Sequence, residues 1–204
     1  MLVIIDYGMG NLASVGNAFS TLGIEVKISS SKDDVKNARW LVLPGVGAFE
    51  DAMKNLKRLG LDNVIHDYVS SGKPFLGICL GMQLLFDRSY ENGEFEGLGI
   101  LKGRVVRFEV KLPVPHMGWN SVKVLKKGWP FENIEEDSFF YFDHSYYVIP
   151  EEDNILGLSC NYGVDFPAAI WKDNIIGFQF HPEKSYKKGL RLLKNFINNI
   201  NWVG

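Results

Sequence analysis

The stretch K-P-F-L-G-I-C-L-G-M-Q-L-L-F, residues 73–86, decides the fold of this chain. Pro74–Ile78 has the apolar character of a buried strand, and the apolar run Leu80–Phe86 that follows is typical of a helix. Between them, Gly77-Ile78-Cys79-Leu80-Gly81 has the spacing of a nucleophile elbow, with cysteine where serine is usual. Glycine is needed on both sides of so tight a turn, because a side chain would collide with the backbone. The stretch therefore predicts a strand, a sharp turn that presents Cys79, and a helix.

The segments around this stretch alternate between strand-like and helix-like patterns. Short apolar runs predict strands, and apolar residues at helical spacing predict helices. After residue 100 the pattern changes to β-branched and aromatic runs separated by Gly, Pro and Asn, which indicates hairpins. We therefore predict an α/β fold in one domain spanning residues 1–204, with a doubly wound, mostly parallel sheet flanked by helices and antiparallel hairpins in the C-terminal half. The other predicted strands are Leu2–Ile5, Ile24–Ser29 and Trp40–Leu43, and the other predicted helices are Leu12–Leu22, Lys32–Ala38, Phe49–Leu59, Leu61–Val69 and Tyr186–Ile200.

Composition narrows the class of protein. The chain has 204 residues, 46% of them hydrophobic, which is enough to bury one sizeable core. Its net charge of -2 gives no electrostatic reason to expect nucleic acid or an anionic membrane as a partner. Asp6 interrupts the N-terminal apolar run before it could act as a signal segment, so we expect a cytoplasmic protein. The 2 cysteines and 4 histidines are scattered without metal-ligand spacing, so we expect no disulfide, metal or cofactor.

Cys79 is the candidate nucleophile. A thiol at a helix N-terminus is favoured as thiolate by the helix dipole, and the amide of Leu80 points to where an oxyanion would form. Chance gives roughly 0.02 matches to G-x-C-x-G in a chain of this composition. The alternative is that Cys79 is a small core hydrophobe, as free cysteines often are.

Forming a thiolate nucleophile requires a base, and His181 is the candidate. It follows the strand-like run Ile175–Phe180, Pro182 keeps it extended, and Glu183 stands where a carboxylate can orient the imidazole. The alternative is a loop histidine capped by its neighbour. The remaining histidines have other interpretations: His66 as a solvated residue on the polar face of its helix, His116 in a turn, and His144 as a structural or catalytic residue in the alternating run Phe139–Val148.

Two features near the elbow suggest binding groups. Gln83 lies one helical turn after Cys79 on the same face, and its apolar neighbours weaken the alternative that it faces solvent. We expect its amide to pair with the polar end of a substrate. The turn Pro44-Gly45-Val46-Gly47 ends a neighbouring strand and is placed to bring a second backbone amide to an oxyanion, although a plain turn explains it equally well.

The chain carries four motifs: P-G-V-G at 44–47, G-I-C-L-G-M-Q-L-L-F at 77–86, P-H-M-G-W-N at 115–120 and H-P-E-K-S at 181–185. Together they resemble the triad-type, class-I glutamine amidotransferases and, among these, the glutaminase subunits of imidazole glycerol phosphate synthases. The motifs G-x-C-x-G-x-Q and H-P-E are shared across the amidotransferases, whereas the longer motifs are typical of these subunits and their close paralogues. The resemblance covers essentially the whole chain.

The resemblance implies a glutaminase that hydrolyses glutamine to glutamate and ammonia for histidine biosynthesis. It implies that Cys79 attacks the side-chain amide to form a glutamyl thioester, that His181 relays the proton, and that Glu183 orients His181.

The resemblance also implies the substrate-binding residues. It places Gly47 and Leu80 at the oxyanion, and Gln83 and Glu91 at the amino-acid end of glutamine. From the sequence alone, a surface acid is the simpler explanation of Glu91.

The implied partner is a (β/α)8-barrel cyclase subunit, which forms a heterodimer with this chain and receives ammonia through a shielded channel. The chemistry points the same way, because released ammonia needs an acceptor and the sequence has no P-loop or second domain to use it. We interpret G-x-G-x-x-A at 8–13 as a docking turn instead of a nucleotide cradle, since Glu25 is poorly placed as a ribose-binding acid. The implied interface residues are Gly10, Asn11, Trp119, Asn120 and Lys184.

Other classes stay open. Paralogous subunits that feed ammonia to sugar-modifying synthases share most of these motifs, and cysteine hydrolases of the same architecture share the elbow. A catalytically silent binding subunit would keep the fold. Asp143 stands where the family usually has a small or apolar residue, which bears on the partner and the pathway. Strand alternation predicts that Asp143 lies on the opposite face from His144, so it need not touch the same site.

Overall fold

A computed structural model describes residues 1–199 of the chain. Within that range the strands are β1 (Leu2–Ile5), β2 (Val26–Ser29), β3 (Trp40–Gly45), β4 (Phe75–Cys79), β5 (Phe86–Ser89), β6 (Phe95–Glu96), β7 (Leu101–Arg107), β8 (His116–Val124), β9 (Ser138–His144), β10 (Tyr146–Pro150), β11 (Leu156–Asn161), β12 (Asp165–Lys172) and β13 (Ile175–Phe178). The helices are α1 (Leu12–Thr21), α2 (Lys32–Asn37), α3 (Phe49–Leu59), α4 (Leu61–Ser70), α5 (Leu80–Gln83) and α6 (Tyr186–Asn198).

Nine strands form the central sheet, in the order β2-β1-β3-β4-β13-β12-β11-β8-β9. The first five of these are parallel, and the other four continue the sheet in antiparallel pairs. Parallel strands are covered on both faces, and every residue of β1, β3 and β4 is accordingly buried. The predicted α/β fold, with a mostly parallel sheet and C-terminal hairpins, is confirmed.

A second sheet, in the order β10-β7-β5-β6, was not predicted. It begins where the sequence predicted a helix over Leu80–Phe86, and that prediction was wrong, because α5 ends at Gln83. The carbonyl of Leu84 accepts a hydrogen bond of 2.8 Å from the amide of Leu98 instead of one from a further helical turn. Long-range pairing therefore overrides the helical pattern.

The other predicted helices and strands occur within two residues of their predicted ends. Ile200, the predicted last residue of α6, lies outside the described residues, and the single domain over residues 1–204 stays a prediction. Two interpretations of histidines were wrong. His116 is the first residue of β8, and His66 is half-buried with its Nε2 hydrogen-bonded to the carbonyl of Leu98. Within residues 1–199 no helix is long and apolar enough to span a membrane.

The elbow is packed directly against the neighbouring strand. β3 and β4 pair so that Gly45 stands opposite Cys79, and α5 then crosses the end of β3. A Cβ on Gly81 would lie 1.8 Å from the carbonyl oxygen of Leu43, and a Cβ on Gly77 would lie 2.8 Å from the carbonyl oxygen of Gly81. The two glycines therefore allow a backbone approach that no other residue permits.

Gly81→Ala is expected to lower the free energy of unfolding by about 2 kcal/mol or more, because the new methyl group would overlap the main chain of β3. Urea unfolding measures the change. Gly16→Ala is the matched control, since a Cβ there meets only side chains at 3.7 Å or beyond and alanine favours the helix α1. Equal stability of Gly81→Ala and the unsubstituted chain would contradict the packing argument.

Two buried histidines cross-link β8 and β9 near the elbow. His144 donates from Nδ1 to the carbonyl of Tyr146 at 2.8 Å, so its Nε2 is an acceptor. His116 donates from Nδ1 to that Nε2 at 3.1 Å, and the Nε2 of His116 accepts from the amide of Asn120 at 3.2 Å. Both rings are therefore neutral. Burial lowers the pKa of His116 to about 4 and that of His144 to about 3.

Stability is expected to fall when the pH is lowered from 7 to 5. Unfolded histidine binds a proton near pH 6.5, whereas folded His144 stays neutral to about pH 3, so the unfolded state binds more protons in this window. At pH 5 this linkage lowers the unfolding free energy by about 2 kcal/mol for His144 alone. Urea unfolding at both pH values tests it. His144→Gln keeps polar groups without titrating and should lose less, and an equal loss in both proteins would contradict the assignment.

Candidate active site

Cys79 occupies a strained position at the junction of β4 and α5. Its backbone has φ 53° and ψ -112°, in a region that residues with side chains rarely adopt and that is concentrated at functional sites. The residue is 5% exposed. Its Sγ lies 3.8 Å from Nε2 of Gln179 and 3.9 Å from the main-chain oxygen of Asp143. The predicted elbow is present, and it directs the sulfur between the ends of β13 and β9.

His181 and Glu183 form a buried pair beside the elbow. The Nδ1 of His181 lies 2.8 Å from Oε1 of Glu183, with side chains that are 4% and 1% exposed. Because Nδ1 donates to the carboxylate, Nε2 is the free end of the ring, and within residues 1–199 it has no hydrogen-bond partner. Ser185 holds the backbone here, since its hydroxyl donates to the carbonyl of His181 at 2.6 Å and accepts from the amide of Tyr141 at 3.0 Å.

The charges at this junction favour a protonated His181. Burial of the ring lowers its pKa, but the negative charge of Cys79 and the carboxylate of Glu183 outweigh burial and raise the pKa to about 10. On the other side of the sulfur, burial and the charge of Cys79 raise the pKa of Tyr7. A protonated imidazole next to a cysteine is the arrangement that activates such a nucleophile.

A cavity of about 290 Å³ opens onto the sulfur. All four predicted substrate-binding residues, Gly47, Leu80, Gln83 and Glu91, line it together with Cys79. His181 and Glu183 are not part of this lining. The volume suits a small polar molecule of amino-acid size.

Gln83 has one group left for a ligand. Its Nε2 donates to the carbonyl of Tyr146 at 2.9 Å and to Oε1 of Gln179 at 3.1 Å. Both amide hydrogens are therefore used inside the protein, and the side chain is 4% exposed. The oxygen Oε1 is the atom that Gln83 can offer, and it accepts hydrogen bonds from donors such as an ammonium.

Glu91 belongs to the cavity and is not a simple surface acid. Its Oε2 accepts a hydrogen bond of 2.8 Å from the amide of Phe49, the first residue of α3. Burial raises the pKa of Glu91, the hydrogen bond from Phe49 opposes this, and the charge of Asp51 adds to it. The second carboxylate oxygen is left for a cation in the cavity.

The turn Pro44–Gly47 lies against the elbow. The hydroxyl of Tyr7 donates to the carbonyl of Pro44 at 2.9 Å, and a Cβ on Gly45 would lie 3.0 Å from Cβ of Leu80. Gly47 has φ 101° and lies at the cavity wall, where its backbone is available to an oxyanion.

The glycine turn at 8–10 uses its own polar groups. Asp6 accepts from the amide of Gly8 at 3.0 Å, and Asn11 caps α1 by accepting from the amide of Ser14 at 3.3 Å. A carboxylate thus occupies the turn where a nucleotide cradle would receive a phosphate. Gly10 lies against Gly45, because a Cβ on Gly10 would be 3.6 Å from the backbone of Gly45.

The predicted interface residues fall on neighbouring elements. Trp119 is 44% exposed and stacks on Tyr186 with ring centroids 5.3 Å apart. Both Trp119 and Lys184 contact the ring of Tyr141, at 6.1 Å and 5.3 Å from its centroid. The helix α1, which Asn11 caps, packs against the 3-10 turn that carries Lys184.

Asn120 differs from the other predicted interface residues. It is half-buried, and its amide donates to His116 and to the carbonyl of Asn161. Its side chain therefore links the surface to the buried histidine pair.

Asp143 does touch the site, although strand alternation did not require it. Asp143 lines the same cavity as His144, and its carbonyl is the one that contacts Cys79. Alternation separates side chains but not main-chain atoms, and the end of β9 forms the cavity wall.

Sequence reasoning missed Gln179. It is fully buried and contacts both Gln83 and Cys79. The available signal was one polar residue inside the apolar run Ile175–Phe180, two positions before His181.

Comparisons with known proteins agree on the family. A model of the family described as glutamine amidotransferase class-I matches residues 3–200. The imidazole glycerol phosphate synthase subunit HisH of Aquifex aeolicus is 52% identical over 195 residues, covering 95% of this chain and 94% of the relative. The subunit of the same name from Desulfitobacterium hafniense is 50% identical, covering 98% of this chain and 95% of the relative.

Solved structures support the fold. The structure of PurLQS from Thermotoga maritima superposes with a TM-score of 0.76 at 19% identity, covering 97% of each chain. A crystal structure described as glutamine amidotransferase gives a TM-score of 0.75 at 21% identity, covering 96% of each chain. The resemblance predicted from the four motifs is confirmed, and this chain belongs to the class-I glutamine amidotransferase family.

Proposed function

We propose that this chain is the glutaminase subunit of an imidazole glycerol phosphate synthase, and that it releases ammonia from glutamine for histidine biosynthesis. The observation that carries the proposal is the convergence of the strained Cys79, the buried His181–Glu183 pair and one polar cavity on a single sulfur atom. The relatives at 52% and 50% identity, which are named as subunits of this synthase, favour it over a paralogous subunit or a general cysteine hydrolase.

In the first half of the reaction, Sγ of Cys79 attacks the side-chain amide carbon of glutamine. The carbonyl π electrons move to oxygen, and the resulting oxyanion accepts hydrogen bonds from the amides of Leu80 and Gly47. His181 gives its proton from Nε2 to the leaving nitrogen, the C–N bond breaks, and ammonia departs. A glutamyl thioester remains on Cys79.

In the second half, water attacks the thioester carbon. His181, now neutral, takes a proton from the water, and the C–S bond breaks as the tetrahedral species collapses. Glutamate leaves and Cys79 returns as thiolate beside an imidazolium. Glu183 keeps Nδ1 of His181 protonated throughout, so that Nε2 always faces the reacting atoms.

The amino-acid end of glutamine binds at the opposite end of the cavity. Its ammonium lies between Oε1 of Gln83 and the free oxygen of Glu91, both of which accept hydrogen bonds. A carboxylate and an amide oxygen together select a cation, and they fix the distance between that end and the sulfur.

The partner is a (β/α)8-barrel cyclase subunit, and the assembly is a heterodimer in the cytoplasm. It docks on a surface that includes Gly10, Asn11, Trp119 and Lys184, with Asn120 at its inner edge. The exposed aromatic rings of Trp119 and Tyr186 beside Lys184 are typical of a protein interface. Ammonia is a nucleophile only while neutral, so its release next to the partner keeps it useful.

Glutamate release is expected to rise when the purified chain is mixed with the cyclase of the same organism and its phosphoribulosyl ribonucleotide substrate. Cys79→Ala should lower this stimulated rate by at least about 10³-fold, because the thioester cannot form without the sulfur of Cys79. An enzyme-coupled glutamate assay measures both. A slow rate that the cyclase does not change would exclude this pathway, and turnover that survives Cys79→Ala would exclude the thioester mechanism.

Glu183→Gln is expected to lower kcat by about 10²-fold or more with little change in KM, because the carboxylate orients His181 and stabilises its charge without contacting substrate. In the wild type the pKa of His181 is raised to about 10. Loss of the carboxylate lowers this pKa, so the alkaline limb of the kcat profile should move to lower pH. Glutamate release from pH 6 to 10 tests this. Exposed Glu132→Gln is the control, and an unmoved alkaline limb in Glu183→Gln would contradict the role.

A further inference from the structure

We propose that Gln179 is a positioning residue for the nucleophile: its side-chain amide holds Cys79 in the thiolate form and fixes the distance between the sulfur and the substrate-binding Gln83. The inference rests on the proposed glutaminase function and adds a residue to it. Gln179 belongs neither to the elbow nor to the His181–Glu183 pair. It lies behind the cavity wall.

The orientation of the Gln179 amide is fixed by its neighbours. The carbonyl of Tyr146 can only accept, so the group of Gln83 that faces it at 2.9 Å is the NH₂. That same NH₂ donates to Gln179 at 3.1 Å, so Gln179 presents its oxygen to Gln83. The NH₂ of Gln179 therefore faces Cys79, with Nε2 3.8 Å from Sγ. Consecutive hydrogen bonds therefore connect the carbonyl of Tyr146, Gln83, Gln179 and the sulfur.

The two contacts of the sulfur favour different protonation states. The main-chain oxygen of Asp143, 3.9 Å away, accepts a hydrogen bond from a thiol but repels a thiolate. The amide hydrogen of Gln179 stabilises a thiolate, which is a stronger acceptor than a thiol. Gln179 thus opposes Asp143 and supports the reactive form.

Burial makes this contact unusual for a purely structural glutamine. Gln179 is fully buried, and its backbone amide is already used by the carbonyl of Ala168 at 2.9 Å. A buried side-chain amide is retained where both of its ends find partners. Here the two partners are the nucleophile and a substrate-binding residue, so one rigid amide joins the two ends of the cavity.

Several other ionisable groups surround the sulfur, and the test must separate them from Gln179. His181 lies beside the sulfur with Glu183 behind it, Tyr7 approaches from β1, and the cavity wall carries Glu91, Asp143 and His144. Substitution of Gln179 alone leaves all of these groups in place.

Two variants of Gln179 test the proposal. Gln179→Met keeps the volume but lacks a donor, and Gln179→Glu keeps an acceptor for Gln83 but puts a negative charge in place of the donor. The rate of Cys79 alkylation by iodoacetamide, followed on the Cys79 peptide by mass spectrometry from pH 5 to 10, reports the thiolate fraction. We expect the profile of Gln179→Met to move to higher pH by about one unit, since a hydrogen bond to a charged group contributes of that order. Gln179→Glu should move further.

Asn174→Ala is the matched control. Asn174 precedes β13 at its other end, and its amide donates to the carbonyls of Val69 and Lys73, so its loss removes two partly buried hydrogen bonds at the end of the strand away from the sulfur. It should lower stability without moving the alkylation profile. Alkylation profiles of Gln179→Met and Gln179→Glu that coincide with the wild type would overturn the proposal. If circular dichroism shows that one variant is unfolded, the alkylation profile of the folded variant tests the proposal. If both are unfolded, Gln179→Asn replaces them.

Turnover in the complex with the cyclase distinguishes this inference from the proposed function. We expect Gln179→Met to lower kcat and raise KM for glutamine, because the sulfur and Gln83 lose their common support. Absence of glutaminase activity in the wild-type complex would defeat the proposed function while leaving the alkylation shift measurable. An active wild type with unchanged kcat and alkylation in both Gln179 variants would defeat only the role of Gln179.

Discussion

The close contact between the elbow and β3 is the constraint on which the rest of the site depends. Because Gly81 lies directly against the carbonyl of Leu43, α5 starts immediately above the strand next to its own. This forces Cys79 into a left-handed conformation and brings the turn 44–47 beside it. The nucleophile and the candidate oxyanion backbone are therefore placed by one steric fit.

Electrostatics then acts on a sulfur whose position is already set. The buried Glu183 holds one nitrogen of His181, so the other is free, and the low polarity around the pair strengthens the attraction between the imidazolium and the carboxylate. The same burial keeps His116 and His144 neutral, because they have each other and a backbone carbonyl as partners instead of a carboxylate. His181 thus differs in charge from His116 and His144 because its ring nitrogen contacts a carboxylate, whereas theirs contact each other and a backbone carbonyl.

The parts of the site that the sequence predicted are those determined by short segments. The elbow needs only a strand, two glycines and a helix start, and His181 with Glu183 needs one strand end and a proline. The far wall of the cavity depends instead on pairing between distant segments. Glu91 resembled a surface acid because its partner Phe49 lies 42 residues away, and Gln179 was hidden in an apolar strand because its partners come from β4 and α5. The end of α5 was predicted wrongly for the same reason, since the amide that bonds to the carbonyl of Leu84 belongs to the distant Leu98.

The proposed docking face is continuous with the reaction site. Gly10 lies against Gly45, and a Cβ on Gly47 would lie 2.7 Å from the methyl group of Met9, so the proposed docking turn rests directly on the turn 44–47. Tyr7 ties the same two segments together through Pro44. A partner that presses on residues 8–11 therefore contacts the backbone next to Gly47 through a single layer of atoms. The proposed docking surface and the proposed oxyanion site therefore share one stretch of backbone.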